Sequence, residues 1–228
     1  MTSSHDAPPS PRARAYFVAS FEVARRLAEG RGDEAIAILE RELERTAHSG
    51  DVPGRRFLMS QIALCHARTG RPEQARAVLE RMEEELPGDP ETSLALAEGY
   101  LLLLDNPERA SHHTALALRW SEERGEDTPE LLSRARSLMA RARLAAGDLT
   151  GAFGAFSAAP LPDWRVAVAL LEAGFDPARI RNVLAEALPE LKAHERRMGA
   201  AAAAAADQVR RLILWIDAGC PDGPPVPS

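Results

Sequence analysis

Along most of this chain apolar residues recur every three or four positions, the spacing that lines one face of an α-helix. Tyr16/Phe17, Phe21, Ala24 and Leu27/Ala28 make one such stripe, and Ala35, Ile38/Leu39 and Leu43 make another. Leu58, Ile62 and Cys65/His66, followed by Ala75, Val78/Leu79, Met82 and Leu86, repeat the pair. No segment alternates apolar and polar residues with period two, and aromatics are only 5% of the chain, so strands are not expected. The residues between the stripes are those that stop and start helices. Gly30, Gly70, Gly147 and Gly174 each close a helical stretch, where a left-handed C-cap is free of strain only for glycine. Asp33, Asn106 and Asp148 stand where they can cap the next helix, and Pro107 and Pro129 follow Asn106 and Thr128 as first-turn prolines. The pattern predicts helix, short turn, helix and a longer connection, several times over.

The hairpins also resemble one another in sequence. EGRGDEAIAILE (29–40) and TGRPEQARAVLE (69–80) share Gly30/Gly70, Arg31/Arg71, Ala35/Ala75, Ala37/Ala77, Leu39/Leu79 and Glu40/Glu80 in one register. Within residues 56–89, Met59, Ile62, Ala63, His66, Ala75, Leu79 and Pro87 meet the spacing W-x2-L-G-x2-Y, A-x3-F, P of a 34-residue unit. The residue types are softer, with an apolar for Trp, Ala for Gly and His for Tyr. On these residues the chain resembles the tetratricopeptide repeat proteins. Looser units follow, with NPERA (106–110) and AGDLTGAFGAF (146–156) placing Ala110 and Ala152 in the small-residue slot, and a further hairpin runs from Trp164 to Leu188. The resemblance implies an all-α fold, a right-handed α-solenoid of four or five antiparallel hairpins over residues 14–189. A helical bundle that merely reuses hairpins is the alternative. Residues 190–219 hold seven consecutive alanines, 200–206, then DQVRRLILWID, and are expected to form a C-terminal capping or dimerisation helix. The Pro- and Ser-rich ends, 1–13 and 220–228, are expected as disordered tails.

Composition narrows the chemistry. A net charge of −6 and a pI of about 5.6 argue against general nucleic-acid binding. Lys192 is the only lysine among 28 basic residues, which looks like high-GC codon usage of a bacterial type and weakens any single arginine as a clue. With no signal-peptide core and no run of eighteen apolar residues, a cytoplasmic protein without membrane partners is expected. Cys65 and Cys220 belong to no metal-ligand spacing. No phosphate loop, GxSxG, HExxH or GxGxxG occurs, so neither an enzyme nor a cofactor or metal site is expected. His112 and His113, being adjacent, point to diverging helix faces and read as surface residues. His66 reads as a packing residue.

In the resembled family the first helix of each hairpin lines a concave groove that binds protein segments. Carried over by repeat position, the groove residues would be Phe57, Ser60, Leu64, Ala67 and Arg68. To these the register adds Thr92, Ala95, Gly99, Leu102 and Leu103, then Arg134, Ser137, Arg141, Leu144 and Ala145. The family's Lys/Asn clamp for C-terminal carboxylates is missing, since Lys192, Asn106 and Asn182 all lie outside those helices. Arg134 and Arg141, seven apart on one face, could instead grip an acidic partner, unless they answer the acidic SEERGEDTPE just before them. The functional expectation is therefore a non-catalytic adaptor or chaperone that holds a partner segment in its groove. The competing expectation is a structural homo-oligomer, such as a homodimer, associating through the C-terminal helix at Leu212, Leu214 and Trp215.

Overall fold

The structure, a computed structural model, describes residues 11–46, 50–198 and 200–220. Among the described residues there are eleven helices and no strand. The helices are α1 (Pro11–Ala28), α2 (Gly32–Thr46), α3 (Val52–Arg68), α4 (Pro72–Glu85), α5 (Pro90–Leu104), α6 (Pro107–Arg124), α7 (Pro129–Ala145), α8 (Leu149–Ser157), α9 (Trp164–Glu172), α10 (Pro177–Met198) and α11 (Ala200–Asp217). Most of the termini follow from local chemistry. Asp51, Asn106, Thr128 and Asp148 each accept a hydrogen bond from the backbone N–H three residues on, which supplies a partner for one of the first-turn donors. Gly70 and Gly147 turn the chain at φ of +74° and +78°. The end of α5 departs from the expected pattern, because there the left-handed residue is Asp105, at φ +48°, and Asn106 N donates to Tyr100 O at 2.9 Å.

The described residues divide into two compact units, one within 11–88 with 102–105 and the other within 89–101 with 106–220. In the first, α1 to α4 pack in chain order, each on the next. The buried row is Ala35, Ile36, Leu39 and Leu43 of α2, Leu58, Met59, Ile62 and Ala63 of α3, and Ala75, Leu79 and Met82 of α4. Burial of each large side chain contributes about 1.5–3 kcal/mol, while the alanines allow the helices to approach closely. In the second unit Leu94 and Ala97 of α5, Ala117 of α6 and Ala135 and Leu138 of α7 form one cluster. A larger cluster joins α7 to α11, with Phe156, Leu170, Ile180, Leu184, Val209 and Leu212 at its centre. This consecutive antiparallel packing is the local arrangement of a helical-repeat solenoid.

Several expectations are corrected. Asp33 caps nothing; it lies inside the first turn of α2 and takes Arg71 at 2.7 Å. The α1 stripe is turned, with Val23 buried and Phe21 71% exposed. The segment 190–219 is not one helix. α10 runs through its start to Met198, and α11 returns antiparallel on α10, with Arg181 near the start of α10 donating to Asp217 at the end of α11 at 3.0 Å. Of the expected tails, residues 1–10 and 221–228 lie outside the described residues, and α1 begins at Pro11.

Candidate functional site

Helix α3 separates its residues cleanly. Leu58, Met59, Ile62, Ala63 and Cys65 face the core, while Phe57 (37% exposed), Ser60, Leu64, Ala67 and Arg68 face outward, Phe57 and Arg68 exposed and the others half-buried. Those five are the residues expected to line a groove. At the C-terminal end of α3 this row borders an open cavity of about 610 Å³, lined by Ala24, Leu27 and Ala28 of α1, Gly30 and Gly32 of the turn, and Arg68 and Thr69. The contribution of α1 is the part the sequence did not indicate, since the expected groove began only at Phe57 and the α1 stripe was read as an apolar face without a role. A usable signal was present, because the forty-residue register that pairs Gly30 with Gly70 also pairs Ala24 with Leu64 and Ala28 with Arg68.

Electrostatically this opening is simple. Arg68 is its one charged lining residue and has no acidic partner among the described residues. The charges around it are occupied: Arg25 pairs with Glu22 and Glu29, Arg26 with Glu22 and Glu34, Arg31 with Glu29 and Glu34, and Arg71 with Asp33. A second opening, of about 530 Å³ and lined by Glu40, Leu43, Glu44, Arg55, Arg81 and Glu85, sets three acids against two arginines. Glu85 accepts from Arg81 at 2.6 Å and from Arg55 at 2.7 Å, and the Arg81 hydrogen bond is the main cause that holds its pKa below the ordinary carboxylate value.

The other expected partner residues are dispersed. Arg134 is ion-paired within the chain, its Nε donating to Glu98 at 2.9 Å and its Nη1 to Glu91 at 2.8 Å. Its acidic partners come from α5 and not from the SEERGEDTPE segment. Arg141 is exposed and unpaired among the described residues, Leu144 is partly buried against the larger cluster, and Leu102 is exposed. Thr92 and Gly99, expected in the groove, are buried, and Thr92 Oγ1 donates to Asp89 at 2.8 Å. Of the candidate dimerisation residues, Leu212 is 1% exposed inside the core, Trp215 is half-buried against the same cluster, and Leu214 is 68% exposed. The core needs the stripe of α11 once α11 folds back on α10.

His113 is not a surface residue. It is 1% exposed, its ring is stacked on Tyr100 with centroids 5.4 Å apart, and His112 meets it edge-on at 5.2 Å. Arg109 lies over the other part of this group, 4.4 Å from the Tyr100 centroid. Burial, with smaller contributions from His112 and Arg109, pushes the His113 pKa down to about 4. His66 is half-buried and lowered by burial as well. Among the described residues no three His, Cys, Asp or Glu side chains gather as a metal site, and no helix is long and apolar enough to cross a membrane.

Residues 26–99, from the second half of α1 into α5, match the family model of the tetratricopeptide repeat. No curated protein and no solved structure matches the chain significantly.

Proposed function

Starting from a chain that is a tetratricopeptide-like repeat protein, with the match centred on α2 to α4, we propose that it is a non-catalytic adaptor or chaperone that holds a segment of a partner protein against the exposed faces of α1 and α3. Tetratricopeptide repeats are in general protein–protein interaction modules and typically carry no catalysis. The observation that supports this reading most directly is the outward row Phe57, Ser60, Leu64, Ala67 and Arg68 on a helix whose other side is fully committed to the core. A preformed surface of this kind binds without ordering its own backbone, so little of the interaction energy is lost to conformational entropy. We place the protein in the cytoplasm. Its affinity would come from apolar burial, with a cation on the rim to select orientation.

The test is capture of partners from native lysate on the immobilised full-length protein, run beside Leu64→Glu and Arg141→Glu. A partner retained by the wild type and by Arg141→Glu, and lost with Leu64→Glu, is the expected result. Equal retention by all three would move binding off the α1–α3 face and overturn the reading.

A further inference from the structure

Met59, Ile62, Ala63 and His66 stand at positions i, i+3, i+4 and i+7 of α3, one face of the helix. The first three are buried and His66 is half-buried, in the slot that the repeat spacing gives to tyrosine. The chain is tied to this residue from two sides. His66 O accepts from Arg71 N at 2.9 Å, from Thr69 N at 3.2 Å and from Thr69 Oγ1 at 3.1 Å, so the turn into α4 is built on it. Arg71 in turn reaches Asp33, in the first turn of α2, at 2.7 Å. Within this junction the ring has one vulnerable atom. Nδ1 is closed off from water and has no hydrogen-bond partner among the described residues, which leaves Nε2 to carry the proton of the neutral ring. A second proton would place an N–H on Nδ1 with no acceptor and a charge on a half-buried ring, both of which cost more than an idle lone pair.

We propose that His66 is an acid-sensitive switch: the neutral ring holds the junction of α2, α3 and α4 closed, and a proton on Nδ1 drives the ring from its slot and loosens the turn built on it. The switch needs no bound partner. The charges around the ring do not cancel the cost of protonation. Burial is the main cause that lowers the His66 pKa and the Arg71 guanidinium adds to it, while Glu40 and Asp33 of α2 act in the opposite sense. Asp33 is already engaged by Arg71. On the same turn of α3, Arg68 is a further cation, and burial pushes the Cys65 thiol up, which keeps it neutral. Because the closed junction holds the ring below its ordinary value of 6.5, the opened turn binds the proton more readily. The junction is therefore at full strength above pH 6.5 and weakens as the pH falls below it. A tyrosine in this slot has no charge to gain over that range. Arg68 and Thr69, which line the opening beside α1, belong to the loosened segment, so the switch acts at the edge of that opening.

The experiment is amide hydrogen exchange of the full-length protein between about pH 7.5 and about pH 5, the range in which an imidazole titrates, with rates corrected for the intrinsic pH dependence of exchange. His66→Tyr and His66→Phe, which keep a ring in the slot but take no proton, are run beside the wild type. Protection of residues 66–72 in the wild type should fall on the acid side, by at most about tenfold per pH unit, the limit for a single proton. In both variants that segment should stay level, while peptides of α6 report His113 separately and keep their wild-type profile. A level wild-type profile over residues 66–72, or an equal fall in the variants, would overturn the proposal. The tautomer gives a second readout that needs no variant. Nitrogen-15 spectra of the wild-type imidazole at neutral pH should show the proton on Nε2, and a proton on Nδ1 would remove the orphaned donor on which the switch depends.

Discussion

His113 shows how far a single residue can depart from what its neighbours in sequence suggest. Adjacent residues on a helix diverge by about 100°, so His112 and His113 could not share a face; which of them turns inward was not legible, because α6 buries Ala110, His113, Thr114, Ala117 and Ser121, a row with little hydrophobic signature. The buried ring is neutral at neutral pH and has a pKa of about 4, against about 6.5 in an unfolded chain. The unfolded state therefore takes a proton that the native state resists, and acidification favours unfolding. The stability carried by neutral His113 is complete above pH 6.5 and is lost as the pH falls from 6.5 toward 4, by roughly 3 kcal/mol in all. Thermal melts across that window should show Tm falling on the acid side. His113→Phe, which can still stack on Tyr100 but takes no proton, should flatten that part of the profile; an unchanged slope in the variant would assign the acid sensitivity to other groups.

Between elements, what matters is how closely they approach. α2 starts against the end of α3, where Gly32 is buried and a Cβ would fall 2.2 Å from Thr69 Cγ2. Thr69 cannot rotate away freely, since its Oγ1 donates to Cys65 O at 2.8 Å and accepts from Arg71 Nε at 2.9 Å. Gly32→Ala should cost about 1–3 kcal/mol, the usual range for overpacking, read as a lowered urea midpoint. Adding Thr69→Ser removes the offending methyl and keeps the hydroxyl, so the double variant should recover most of the loss. If the two substitutions instead add independently, the strain lies elsewhere. The same kind of contact decided the last two helices. The alanine run and the stripe Val209, Leu212 and Ile216 were legible as helix, but only the return of α11 onto α10 shows that Leu212 is spent on the core and is no longer available to a partner.

For the whole molecule, repeat packing makes each helix answer mainly to its sequence neighbours, so damage should stay local. Leu79→Ala, at a site only 1% exposed, should cost about 2–5 kcal/mol and release amide protection in α2 to α4. Hydrogen exchange followed by mass spectrometry would check this, with α9 to α11 expected to keep their protection; loss spread evenly over the chain would contradict it. That locality also explains what could be read without coordinates. The sequence by itself determined that the chain is helical, where most helices stop, and the hairpin register around Ala75 and Leu79, because helix periodicity, glycine C-caps and proline first turns are set within a few residues. Tertiary structure alone decided that Arg134 is neutralised by α5, that Val23 and not Phe21 enters the core, and that Arg68 is left uncompensated beside an apolar groove. Each of these depends on which face of a helix its neighbour covers, and periodicity fixes that a face exists without fixing what covers it.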